Sequence, residues 1–284
     1  MYAVAISGTD VFVGGDFTGA GGNPNADYIA RWDGAQWHAL GSGVNDWVRA
    51  IAISGTNVFV GGTFIDAGGN PNADHIARWD GTQWHALGNG VNDWVRAIAI
   101  SGTNVFVGGT FIDAGGNPNA DHIARWDGTQ WHALGNGVNS TVQALAISGS
   151  NVYAGGTFTN AGGVSGANRI ARWDGTTWNR VGAAGAIDDP VYAIAVSGSN
   201  VYVGGDFTNA DGAVGADYIA RWDGAAWQVV GGAGALDAPV YALAISSDDL
   251  YVGGAFYDAG GNRFADRIAR IFTTLRVYLP LVVR

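Results

Sequence analysis

Residues 45 to 91 of this chain, NDWVRAIAISGTNVFVGGTFIDAGGNPNADHIARWDGTQWHALGNGV, recur letter for letter as residues 92 to 138. Looser copies fill the rest, and an Ile-Ala-Arg tripeptide marks the period through Arg31, Arg78, Arg125, Arg172, Arg221 and Arg270. The steps between them are 47, 47, 47, 49 and 49 residues. A unit of this length cannot bury its own apolar faces and must stack on its neighbours. That restricts the chain to a propeller or a solenoid.

Composition then removes the helical options. All 14 basic residues are Arg and all 24 acidic residues are Asp, so the two strong helix formers Lys and Glu are missing. Forty-seven Gly and only 6 Pro in 284 residues suit many short strands joined by tight turns. There is no Cys, hence no disulfide and no thiolate chemistry. A net charge of −10 argues against a nucleic-acid or anionic-membrane partner, because phosphate binding needs clustered cations. No apolar run approaches the roughly 20 residues that span a bilayer, so membrane insertion is not expected.

One unit reads as four strands. Residues 48–53 (VRAIAI) alternate Ala with Ile and are followed by the turn Ser54-Gly55-Thr56-Asn57, and residues 58–64 (VFVGGTF) end in a Gly pair. Residues 65–74 are loop, 75–79 (HIARW) form the third strand, Asp80-Gly81 is a hairpin signal, and 83–87 (QWHAL) form the fourth. The expectation is an all-β chain forming a six-bladed β-propeller of four-stranded antiparallel blades. It is one domain over 1–284, with blades about 2–47, 48–94, 95–141, 142–190, 191–239 and 240–281. The first strand, with its uniformly small Ala50 and Ala52 face, is expected to line the centre. Trp79 and Trp84 are expected to fill the wider gap between blades.

These residues resemble a known pattern. A Gly pair closing the second strand (Gly61-Gly62), an aromatic in the third (Trp79) and a Trp soon after (Trp84) are similar to the kelch repeat. The spacing of the two aromatics is slightly short for kelch, and Trp79 stands where kelch repeats usually carry Tyr. The phrase IARWDG-x-x-W resembles more closely the kelch-like propellers of bacterial secreted proteins and of fungal cortical polarity markers. The resemblance covers about residues 2 to 272 and implies a fold, with no particular function attached to it.

The last copy departs from the pattern after Arg270, reading IFTTLRVYLPLVVR. Leu275 to Leu279 are expected to supply the missing outer strand, so that residues 273–281 complete the blade. The final VYLPLVVR resembles a tail of secreted bacterial proteins, which implies an extracellular or cell-surface bacterial location. An apolar edge segment of this kind (Leu275, Val277, Tyr278, Leu279, Leu281) either completes its own blade or pairs with another copy, which would build a homo-polymer. Met1 falls directly before a strand where later copies have a loop upstream, which suggests a trimmed N-terminus or a late reading frame. No signal peptide is seen in this chain.

Binding is expected on the face carrying the two longer loops of each blade. Trp47 and Trp94 lie on the crossing loops and give way to Thr141, Pro190 and Pro239 elsewhere. They offer a platform for a sugar ring or a protein surface, or else pack on the next loop. With His75, His122, Arg49 and Arg96 they form the candidate ligand-binding set. Asp66, Asn70, Asn72 and Asp74 are closely spaced oxygen donors that suit calcium, although Asx residues in Gly-rich loops also bond their own backbone. No other cofactor is indicated. The Arg of each Ile-Ala-Arg is expected to pair with an Asp such as Asp74 or Asp80, or to stack between Trp rings. No asymmetric constellation points to catalysis. The reading is a non-catalytic extracellular structural or binding scaffold, able to form fibres, whose partner is a protein or a glycan. The alternative is a multivalent carbohydrate-binding lectin.

Overall fold

A computed structural model describes residues 1–272 except 248, 258, 263 and 264. Six antiparallel sheets follow one another along the chain; the first five have four strands and the sixth has three among the described residues. Each sheet is a simple meander, as the repeat required. In the second blade the strands are Val48–Ser54, Asn57–Gly62, Ile76–Trp79 and Trp84–Ala86. The only helical pieces among the described residues are single 3-10 turns in the loop after the second strand, such as Ala67–Gly69. No helix is long and apolar enough to cross a membrane.

The core lies between blades. Five hydrophobic clusters each join one blade to the next, from blades 1 and 2 through blades 5 and 6. First strands of consecutive blades lie side by side, which makes them the innermost. Their Ala face looks at the following blade rather than into a channel. Small residues are needed there because the next blade approaches closely. A Cβ on Gly14 would lie 2.3 Å from Val48 Cγ1, and one on Gly61 would lie 2.3 Å from Val95 Cγ1.

The indole rings hold the outer part of each interface. Trp84 is buried, and its Nε1 donates to the carbonyl of Leu40 in the preceding blade at 2.8 Å. Trp131, Trp178 and Trp227 repeat this bond to Leu87, Leu134 and Val181. Gly68 gives room for the Trp84 ring, since a Cβ there would sit 2.6 Å from its Cδ1. Burying each large ring contributes roughly 1.5–3 kcal/mol, so these contacts are a main source of cohesion.

The interface between blades 6 and 1 is different. Their first strands do not pack as the others do. Ile268 is 68% exposed where its counterpart Ile219 is 2%, and Tyr251 is 37% exposed where Tyr202 is 3%. No atom of blade 1 lies within 4 Å of a Cβ built on Gly253, the counterpart of Gly14. On the opposite side Val4 and Ile6 are exposed. Among the described residues the ring therefore has five sealed interfaces and one open seam. The tail expected to complete blade 6, with Leu275, Val277, Tyr278, Leu279 and Leu281, lies outside the described residues.

Two side-chain roles differ from expectation. The Ile-Ala-Arg arginine reaches neither Asp74 nor Asp80. It crosses the sheet to the turn between the first two strands, where Arg31 pairs with Asp10 at 3.1 Å and Arg78 donates to Asn57 at 3.2 Å. The antiparallel register sets this, because Arg78 lies opposite Phe59, two residues along the strand from Asn57. Asp80 instead caps its own hairpin, accepting from the Thr82 and Gln83 amides, and takes His85 Nε2 at 2.6 Å. His38 and His132 repeat that bond to Asp33 and Asp127, while Asn179 and Gln228 replace the imidazole on Asp174 and Asp223. An amide takes the place of the imidazole in two blades, so the bond works as a hairpin clasp.

Candidate functional site at the axial mouth

The first strand of each of blades 2 to 6 begins with a register shift. Val48 pairs with Gly62 and Ala50 with Gly61, so Arg49 is an extra residue between them. The same bulge falls at Arg96, Gln143, Tyr192 and Tyr241. A bulge re-aims the side chain it carries. Here it turns one side chain per blade toward the axis on the loop-bearing face. Together with Tyr2 of blade 1, these residues line a single cavity of about 390 Å³.

Aromatic rings organise this mouth. The Arg49 guanidinium lies 4.9 Å from the Tyr2 ring centroid, 5.1 Å from Trp47 and 5.8 Å from Trp94. Arg96 lies 5.4 Å from Trp94 and donates to Gln143 at 3.4 Å. The Tyr192 and Tyr241 rings meet on the other side, tilted by 45° at 5.6 Å, and the Tyr192 hydroxyl donates to Asp206 at 2.7 Å. Burial and that carboxylate push the Tyr192 phenol up to about 12. Burial, followed by the nearby Arg49 charge, lowers the pKa of Arg96. Neither Arg49 nor Arg96 forms an ion pair with a described residue, and the Nε of each is buried without a hydrogen-bond partner. Asp46 and Asp93 each accept from the backbone amide of the following Trp47 or Trp94, and the Asp93 charge partly opposes the lowering of the Arg96 pKa.

Of the residues expected to bind ligand, Arg49 and Arg96 line the cavity, and Trp47 and Trp94 stand against their guanidinium groups outside the lining, with Trp94 39% exposed. His75 and His122 lie outside this group, at the entrance to the third strand, and do not line the cavity. Both take the left-handed backbone conformation, with φ of 59° and 60°, as do Tyr28, Arg169, Tyr218 and Arg267 in the other blades. Burial lowers the pKa of both imidazoles, partly opposed by nearby Asp residues including Asp93. Sequence reasoning missed Gln143, Tyr192, Tyr241 and Tyr2. Their signal was present: it is the position that changes type from blade to blade within an otherwise constant strand.

The loop with Asp66, Asn70, Asn72 and Asp74 closes on itself. Asp74 Oδ1 accepts from the Asp66 amide at 2.8 Å and Asn70 Oδ1 from the Asn72 amide at 3.1 Å. Among the described residues no group of three or more His or Asp side chains stands close enough to hold a metal.

No protein-family model matches the chain, and a search of curated proteins finds no match either. Solved structures do match in shape. The computationally designed Ika8 protein superposes with a TM-score of 0.52 at 19% identity, over 92% of this chain and 71% of that one. A chain of a nidogen–laminin complex gives 0.50 at 15% identity, over 78% and 74%. At such identities the likeness concerns the fold alone. The chain is a six-bladed β-propeller whose loop face carries an aromatic, arginine-bearing mouth.

Proposed function

We propose that the protein is a non-catalytic, extracellular binding module of kelch-like type, holding its partner at the axial mouth. The observation that carries this reading is the convergence of the bulged residues. Position 49 and its counterparts vary as Tyr, Arg, Arg, Gln, Tyr and Tyr while the alanines beside them hold, and all six meet in one cavity. Variable side chains on a rigid frame are the usual form of a recognition surface. The imidazole–carboxylate pairs repeat from blade to blade and tolerate amide replacement, which supports a scaffold over an enzyme. The test is an array of glycans and extracellular protein domains, probed with the wild type and with Arg49→Ala/Arg96→Ala. Binders lost in the variant support the reading. An array with no binder, or with binders the variant retains, sinks it.

A second reading, self-assembly into fibres, is favoured by the open seam. The exposed face of blade 6 (Tyr251, Ile268) and that of blade 1 (Val4, Ile6) are the two halves of an interface the chain already makes five times. A head-to-tail contact of this kind that does not close yields a filament. Analytical ultracentrifugation of the wild type and Ile268→Asp tests it. A wild type that is monomeric at every concentration removes this reading and leaves the first intact.

A further inference from the structure

The mouth holds two cations that no described acid pairs with. Arg49 and Arg96 stand next to each other on the axis of a chain whose net charge is −10. Tyr2, Trp47 and Trp94 lie within 6 Å of the guanidinium groups and stabilise them through the π-face, while the Nε of each stays without a partner and the Arg96 edge donates only to the neutral Gln143, at 3.4 Å. A guanidinium edge presents donors in a fork that matches a carboxylate, two parallel bonds at a time. No acid among the described residues pairs with either fork, so apart from the long Arg96–Gln143 bond the edges are left for a ligand.

The walls narrow the choice further. A cavity of 390 Å³ lies at the small end of ligand sites, the size of a single ring compound rather than a folded segment. It is lined on one side by the two guanidinium groups and on the other by the tilted pair Tyr192 and Tyr241, with Gln143 between them. Gln143 and the Tyr241 hydroxyl supply neutral polar groups suited to ring hydroxyls. The half-exposed Trp94 adds a flat apolar surface beside the forks.

Resting on the reading of the mouth as the binding site, we infer that its ligand is a hexuronate, an acidic sugar residue. Its carboxylate is received by the Arg49 and Arg96 forks, and its ring lies against Tyr192 and Tyr241.

Calorimetric titration of the full chain with glucuronate, glucose and N-acetylglutamate tests this. Glucuronate should bind and glucose should not. Arg49→Gln and Arg96→Gln should each weaken binding about tenfold or more, the usual loss when a hydrogen bond to a charged group is removed. Arg96→Lys keeps the charge but not the fork and should not restore full affinity. If a Gln variant fails to fold, quenching of wild-type tryptophan emission by glucuronate, competed by acetate, reads the same contact. No glucuronate binding, or binding indifferent to both Gln variants, overturns the proposal. So does N-acetylglutamate binding as tightly as glucuronate, since the sugar would then not be read. If array binders depend on Arg49 and Arg96 while glucuronate does not bind, the ligand class fails and the mouth remains the binding site.

Discussion

The same substitution at two equivalent tryptophans should have different costs. Trp131 sits in the sealed interface between blades 2 and 3, its Nε1 donating to the buried Leu87 carbonyl at 2.8 Å. Replacing it with Phe removes that donor and leaves a buried carbonyl short of a partner, which costs about 1–3 kcal/mol. The smaller ring also gives up packing against Gly115, whose missing Cβ makes room for the indole. Another 1 kcal/mol or so is expected from that void. The total, about 2–4 kcal/mol, should lower the melting midpoint by roughly 4–16 °C at about 2–4 °C per kcal/mol. Trp37 is the counterpart in blade 1, where the open seam leaves its ring half-exposed and its Nε1 without a described acceptor. Gly21 makes the same room for Trp37, so that packing term is shared, and Trp37→Phe should lower the midpoint by less than Trp131→Phe, the difference being the donor term of about 1–3 kcal/mol. The assay is thermal unfolding followed by far-UV circular dichroism. Midpoints are compared because stacked repeats need not unfold in one step. Equal shifts at the two positions would refute the reasoning, and would mean that Trp37 is clamped by a partner as Trp131 is.

Three further outcomes follow from named contacts. Gly68→Ala and Gly260→Ala occupy the same left-handed backbone conformation, at φ of 64° and 62°, but only the first meets an indole, so its melting midpoint should fall further. The Asp174 carboxyl, held by the Thr177 and Thr176 amides, lies well below the usual carboxylate range; its folded-state pKa is depressed. Its contribution is therefore complete above the unfolded value of 3.8 and is lost as pH falls through the folded one. An NMR titration should show no protonation of Asp174 at pH 3. The Tyr192 phenol, raised to about 12, should ionise after the exposed tyrosines in an ultraviolet titration, and Asp206→Asn should bring it down. Here the sign is reversed: the contribution is full below the unfolded value of 10 and disappears as pH rises through the folded one.

The blade was readable because period and alternation are properties of single residues in order. The hairpin at Asp80-Gly81, the buried Trp84 and the Gly pair at 61 and 62 all fell where the spacing placed them. Contacts set by register were not readable in the same way. Arg78 finds Asn57 only because two strands pair at one offset, and His85 finds Asp80 only because the hairpin is tight. The bulge at Arg49 was hidden for the same reason: a single extra residue in a ladder leaves no mark on the alternation beside it. The seam was hidden more deeply. A repeat specifies how one blade meets the next, but the angle accumulated over six of them is a property of the whole ring.

Consider finally the six residues that precede Ile-Ala-Arg. Tyr28, His75, His122, Arg169, Tyr218 and Arg267 hold φ between 59° and 62°, where glycine would sit without strain and each of them costs of order 1 kcal/mol or more. A chain with forty-seven glycines has not put one there. The corner tolerates phenol, imidazole and guanidinium alike, so its shape is fixed while its chemistry is free to change. The backbone at these six corners is thus held by the blade itself, whichever side chain it has to carry.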